Sequence, residues 1–468
     1  MAVAPVGFSW VNYTSTSVVE KDEEDTSIIK SHAMRMVHRK RQKNLHRHQP
    51  NQANQPTSHM RQKKLRVEHL RRKIDPIAYR PETDWEEVAI CQFLEDFVYP
   101  KQSSPVVAFQ YLSFLPDLYS RNSAHSCLTE AISAVALARL ANQTRATDLS
   151  FRARKAYANA LGLVNKSMSV PEMRKSDQLL TSLCLLAKYE LLSGDANAHL
   201  WQSHDKGQAA LICERDAEWL RSDIGASLFR LVYIRHLLHC VAQSERPAIG
   251  LDRQSRDLAF PAPSLRKLMG LIGKIANLRC DAATHLHQKF EDSEEKCRLA
   301  EEAVKIDAAM TTLIKELPAD VNYNSIANNL ESAEGAVKGY APKMINIFQD
   351  LQHASFWHVF LYGRLHVLQI LLQYSSFQLE FEPQELRARL LKTVDDICAS
   401  VPFAMNENCH KAFITTEGGR AVAAHYLVWL LAAASSATGV PDAQKEWISG
   451  RLAYIGFEHG VKEALLHA

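Results

Sequence analysis

Few side chains in this sequence are spaced for chemistry. His236-Leu-Leu-His239-Cys240 sets two imidazoles and a thiol on one helix face, at i, i+3 and i+4. That trio could ligate a metal, but the flanking leucines argue for core or interface histidines. Asp395-Asp396-Ile397-Cys398-Ala399 is an incomplete aspartate-rich magnesium motif. Ala399 stands where a third carboxylate is needed, so two solvated acids at a helix start are expected instead. There is no H-E-x-x-H, no glycine-rich phosphate loop, no dinucleotide fingerprint and no G-x-S-x-G elbow. The paired Glu-x-x-His motifs of a di-iron bundle are missing too. The expectation is no catalytic residue, no metal ligand and no cofactor.

The densest chemistry is electrostatic. Between Lys30 and Lys73 there are fourteen Lys and Arg against the single acid Glu68, a local charge of +13. The chain as a whole carries +3, so about −10 resides elsewhere. The clusters are Arg39-Lys40-Arg41 with Lys43, then Lys63-Lys64 with Arg66, then Arg71-Arg72-Lys73. Such density attracts phosphates through counterion release, or docks in the acidic groove of a nuclear import receptor. The two uses can coexist, and a merely solvated tail is the bland alternative. No aromatic residue interleaves with the basic ones between His32 and Lys73, which argues against base stacking.

The rest of the chain must be built of helices. An acidic cluster, Glu20 to Asp25, precedes a helix expected over about 26–48, whose basic far end suits the helix dipole. The Gln/Asn/Pro/Ser stretch from Gln49 to Ser58 reads as a linker. Asp84, with Glu87 three residues on, forms a capping box for the next helix. Helix-period runs then follow at roughly 105–119, 123–142, 149–167, 171–193, 197–213, 217–242, 263–278, 280–316, 341–376, 384–400, 415–436 and 441–466. Ser169 before Pro171 marks one further start. Alternating β-type segments are almost absent, and no repeat period emerges. The fold class is therefore all-α: a partly disordered basic arm over 1–80, and a large multi-helix domain over 81–468.

The composition, 46% hydrophobic and 23% charged, suits a soluble globular chain. The nine cysteines show no C-x-x-C spacing and lie in apolar stretches, which predicts reduced, buried thiols inside a cell. MAVAPVGFSWVNY lacks the marks of a secretory signal. Ala421–Ala437 is too short and too interrupted to span a bilayer, so a buried core helix is expected and no membrane partner.

Three segments, taken in order, resemble the fungal-specific transcription factor family. The first is Phe8-Ser9-Trp10-Val11-Asn12, followed by Lys30-Ser31-His32-Ala33-Met34-Arg35 and the Arg39-Lys40-Arg41 run. The second is Leu115-Pro116-Asp117-Leu118-Tyr119 with the helix around Ala134-Val135-Ala136-Leu137-Ala138. The third runs from Ala153 to Leu211 and ends in Trp201-x-x-His204-x-x-Gly207.

The resemblance implies a nuclear transcriptional regulator with roles such as control of a metabolic or secondary-metabolite gene cluster. Trp201, His204 and Gly207 would be structural: the first two pack one helix face, while Gly207 admits a close neighbouring helix. The helical domain would supply partner contacts, effector sensing or both. The family's zinc cluster needs six cysteines in C-x-x-C spacing, whereas the first cysteine here is Cys91. The expected partners are thus other transcription regulators or a DNA-binding partner, DNA through the basic arm, and an import receptor; a homo-oligomer is left open. The competing reading is an all-α enzyme or ligand-binding protein.

Overall fold

The computed structural model describes residues 84–99, 111–121, 125–193, 200–250, 252–287, 293–328, 339–376, 381–405 and 420–468. The chain divides into two units, Met1–Glu82 and Thr83–Ala468, and every described residue belongs to the second. The basic clusters, the helix expected over 26–48 and the linker after it lie outside the described residues.

Among the described residues there are fifteen α-helices and one short hairpin. The entry helix α1 (Trp85–Phe97) starts where the sequence places it: the Asp84 carboxylate accepts the Glu86 and Glu87 backbone N–H groups at 3.0 and 3.4 Å. Its apolar stripe, Ala89, Ile90, Phe93 and Phe97, faces inward, while Trp85 stays half exposed. After α2 (Leu115–Ser120) comes α3 (Cys127–Thr144), capped by Ser126 and buried over most of its surface. α3 packs against α1, against α4 (Thr147–Met168) and against α6 (Asp177–Ser193). α4 buries only a stripe, Leu149, Ala153, Ala156, Ala160 and Val164, as expected of an outer amphipathic helix.

Ser169 does not start a helix. It ends α4, with its hydroxyl donating to the Asn165 carbonyl, and Pro171 opens only the four-residue α5 (Pro171–Arg174). α7 (Leu200–Cys213) packs on α6 and on α8 (Asp223–Gln243), which is capped by Ser222. The small α9 (Arg253–Ala259) leads to α10 (Pro263–His287) and α11 (Ser293–Glu316). The sequence pattern breaks these two at residue 279, but the first helix runs through to His287.

The clearest departure lies before α12 (Leu351–Gln373). Residues expected to extend that helix backwards form β2 (Met344–Ile347), antiparallel to β1 (Asn324–Ala327), with Asn324 opposite Ile347 and Ala327 opposite Met344. Ile345 and Ile347 are buried, and β2 packs on α13 (Pro383–Ala404). Asp350 then caps α12, accepting the His353 N–H at 2.9 Å. α14 (Arg420–Ser435) and α15 (Asp442–Glu458) complete the order. At the end of α15, Gly460 takes a left-handed φ of +69°, and the Asn142 side chain of α3 donates to its carbonyl at 2.9 Å.

The core is one continuous apolar cluster running from α1 to the C-terminal turn. α14 sits inside it, with Ala421, Val422, Ala423 and Ala424 fully covered, as its apolar run implies. Among the described residues it is α8 that has the length and composition to cross a bilayer. Its apolar window is 78% buried within the fold, and it carries Arg230, Arg235, His236 and His239, so core helix is the better account.

The thiols are more varied than the sequence suggests. Cys127, Cys184, Cys240 and Cys398 are buried, but Cys91 and Cys213 are exposed, and Cys280 and Cys297 are half-buried.

Candidate functional site

A polar seam runs through the core where α6, α7 and α8 meet. Asp205 of α7, 1% exposed, accepts from Arg235 of α8 through Nε at 3.3 Å and Nη2 at 3.1 Å. Its second oxygen faces His236 Nδ1 at 3.1 Å. The Ala248 backbone N–H donates to His236 Nε2 at 3.0 Å, which assigns the ring proton to Nδ1, donating to Asp205. Arg235 also donates to Gln208, which in turn donates to the Leu183 carbonyl at 3.2 Å and accepts from the Cys184 thiol at 3.3 Å. Burial alone would raise the Asp205 carboxyl; the His236 hydrogen bond and the Arg235 charge carry it below its ordinary value instead. This is a buried charge with its partners in place.

His236 therefore has its partners, and Cys240 one turn on does not complete a nucleophile. Its Sγ lies 3.6 Å from His236 Nε2, so cysteine, histidine and aspartate stand in the order of nucleophile, base and orienting acid. Yet Cys240 is fully buried, burial pushes its thiol up to about 12, and the Nε2 lone pair already accepts the Ala248 N–H. His239 points elsewhere, edge-on to the Trp429 ring and 3.8 Å from Glu245. No group of three or more His, Cys, Asp or Glu side chains among the described residues is arranged to hold a metal ion.

Asp395 and Asp396 are not helix-start acids. They lie in the middle of α13, where Asp395 accepts from Tyr340 Oη at 3.2 Å and from Gln444 Nε2 at 3.0 Å, and Asp396 pairs with Lys392 at 3.3 Å. Asp395 thus fastens α15 and the segment before β2 onto α13, while Asp396 pairs within its own helix.

Arg235 also borders a small cavity of about 30 Å³ between α8, α12 and α14, room for a water or two. Aromatic rings form much of its wall: Tyr111, Tyr362, Tyr426 and Trp429. Its polar groups, besides Arg235, are His358 and His425. Both ring nitrogens of His358 and Nδ1 of His425 are buried without a hydrogen-bond partner. Burial lowers the His358 pKa to about 3 and holds His425 well below the usual imidazole range, so both rings are neutral at pH 7. An unmet buried donor or acceptor costs about 1–3 kcal/mol.

Close by, Lys188 of α6 sits over the Phe97 and Tyr111 rings, its ammonium 4.9 and 5.3 Å from their centroids. Burial pushes its ammonium down and the carboxyl of Glu463, in the C-terminal turn Lys462–Leu466, up.

The residues singled out in the sequence are scattered across this picture. His204 is 7% exposed, its Nδ1 has no partner, and burial lowers its pKa to about 4. Gly207 is buried, but a Cβ built there would meet nothing within 4 Å, so it does not admit a close helix. That role falls to Gly363 of α12, where a Cβ would come within 2.6 Å of Ile272 and 3.1 Å of Ile275 on α10. Trp201 lies in α7, and its side chain is outside the described residues. So are Arg39, Lys40, Arg41, Lys43, Lys63, Lys64, Arg66, Arg71, Arg72 and Lys73.

Asp205 and Arg235 stand beside His204 and His236, so motif spacing singles out the histidines and passes over the charges. The available signal was a charged residue inside an apolar helical run, Leu228 to Val241, which must find a partner if the run is buried.

Residues 99–460 match the family described as the fungal specific transcription factor domain. A curated relative, "Transcription factor dbaG" of Emericella nidulans, is 24% identical over 402 residues, covering 82% of this chain and 91% of that protein. No solved structure matches the chain. With the match spanning most of the sequence, the chain belongs to the fungal-specific transcription factor family.

Proposed function

We propose that this transcriptional regulator works in the nucleus, and that the clusters between Arg39 and Lys73 serve as its import signal and as phosphate contacts on DNA. The observation that supports this is the pairing of a family domain over residues 99–460 with a preceding stretch of local charge +13. The helical domain serves partner contacts and carries no chemistry of its own. The buried, protonated Cys240 and the committed ring nitrogens of His236 support that reading.

The test is localisation of a fluorescent fusion of the full chain. Alanine at Arg39, Lys40, Arg41, Lys63, Lys64, Arg71, Arg72 and Lys73 should abolish nuclear accumulation. An unchanged, cytoplasmic distribution of both versions would sink the proposal. Direct phosphate contact predicts a gel-shift affinity that falls steeply between low and physiological salt. Affinity that does not depend on DNA sequence assigns the clusters to electrostatic anchoring, and no binding at all assigns DNA recognition to a partner protein.

A further inference from the structure

The helix α15 carries two apolar faces where a surface helix needs one. The first, with Ile448, Leu452, Ile455 and Gly456, is buried and seats α15 on α14 and on the C-terminal turn. The second is turned to solvent. Trp447 is half-buried there, Gly450 is exposed, and Tyr454 and Phe457 are 42% and 56% exposed. These four stand three, four and three residues apart, which is the a and d seam of a coiled coil. Tyr340 meets Trp447 edge-on at 5.8 Å and His459 meets Tyr454 edge-on at 6.0 Å, yet Phe457 still shows more than half its surface. Fully burying one such aromatic ring is worth about 1.5–3 kcal/mol, so an aligned apolar seam in water marks a contact surface.

The order of side-chain sizes along the seam selects its occupant. Read backwards, Trp447, Gly450, Tyr454 and Phe457 complement themselves. An antiparallel second copy sets each Trp447 against a Phe457 and each Gly450 against a Tyr454. A Cβ built at Gly450 would meet nothing within 4 Å, so the space over that glycine is open to a tyrosine ring. A parallel copy would oppose glycine to glycine and leave a gap between bulky layers. Charge follows the same order. Arg451 and Glu458 flank one side of the seam, so the antiparallel copy turns its Glu458 toward Arg451 and its Arg451 toward Glu458. Arg451 also lies over the Trp447 ring, 5.0 Å from its centroid, which puts arginine and aromatic rings together as protein interfaces favour.

We propose that the solvent-facing side of α15 is a homodimer interface, in which two copies of the helix pack antiparallel through Trp447, Gly450, Tyr454 and Phe457. Seventeen residues of helix span about 25 Å. A four-residue seam on that length covers less than the ~800 Å² per partner of a stable dimer, so the pairing is reversible, with a Kd on the order of micromolar. The proposal goes beyond the nuclear reading above and is tested on purified protein, so either can fail without the other.

Sedimentation velocity of the purified full chain over about 1–100 µM should show a monomer–dimer equilibrium. Phe457→Glu sets a carboxylate against Trp447 at both ends and should weaken the dimer at least ~10-fold. Its circular dichroism should not change, because the Phe457 ring is exposed. Gly450→Leu separates the two orientations. It fits the monomer, takes the place of the tyrosine ring in the antiparallel pair, and should weaken that pair by at least ~10-fold as well. In a parallel pair it would fill the gap and tighten the dimer. A monomer at every concentration overturns the proposal, as does a dimer that either substitution leaves unchanged or that Gly450→Leu strengthens.

Discussion

Two neighbouring regions of the same core bury histidine in opposite ways. At the seam, His236 is held from both sides, by Asp205 and by the Ala248 N–H. At the pocket, His358 is buried as deeply and meets the Phe348 ring edge-on, but its ring nitrogens make no hydrogen bond. Arg235 belongs to both regions, and its charge is used up on the seam side. The difference teaches that burial alone does not tell a histidine whose hydrogen bonds are made from one whose hydrogen bonds are not. The hydrogen-bond account of each ring nitrogen does.

Breaking the seam should have the largest effect. Asp205→Ala strands Arg235 and His236 together, and loss of one member of a buried charged set costs about 3–5 kcal/mol. Urea denaturation of the variant should show that loss; a change below 1 kcal/mol would mean the seam is solvated. His358→Leu in the same assay should be neutral or stabilising, and the contrast between the two is the comparison in its sharpest form.

Acid should separate the histidines next. His358 and His204 titrate at about 3 and about 4 when folded, against 6.5 when unfolded. The unfolded chain therefore binds more protons between pH 6.5 and those values, so stability is present above 6.5 and is lost as pH falls. Each group contributes about 1.4 kcal/mol per pH unit in that window. His366 and His425, also held low by burial, add to the loss. Glu463, pushed up by burial, works the other way, losing stability as pH rises. The net slope should still favour neutral pH, and His358→Leu should flatten it by about 1.4 kcal/mol per unit. Stability curves against pH that superimpose for the two proteins would refute the neutral, buried state of His358.

Two glycines give a smaller, purely steric version of the same lesson. Gly363→Ala forces a methyl against Ile272 and Ile275 and should cost about 1–3 kcal/mol. Gly207→Ala enters open space inside α7 and should stabilise by about 0.5–1 kcal/mol. Thermal unfolding of the pair decides which glycine the packing requires; destabilisation at Gly207 would restore the role its spacing suggests. Asp84→Ala, removing the first cap of α1, should cost about 1 kcal/mol by the same measurement.

Much of this was legible along the chain. Apolar spacing with few turn signals determines the all-α class, the core position of Ala421–Ala437 and the start of α1 at Asp84, because these follow from local periodicity and capping. The pairing of Asp205 with Arg235 and His236 was not legible, since the partners lie about 30 residues apart and meet only when α7 packs on α8. Nor was the hairpin before α12, because Met344–Ile347 pairs with a strand that starts twenty residues earlier and local pattern cannot see that register. The sequence by itself determined the all-α class and the charge contrast between the basic clusters and the rest. Tertiary structure alone decided which buried polar groups are answered and which face an opening, because a hydrogen bond between distant helices depends on how those helices pack.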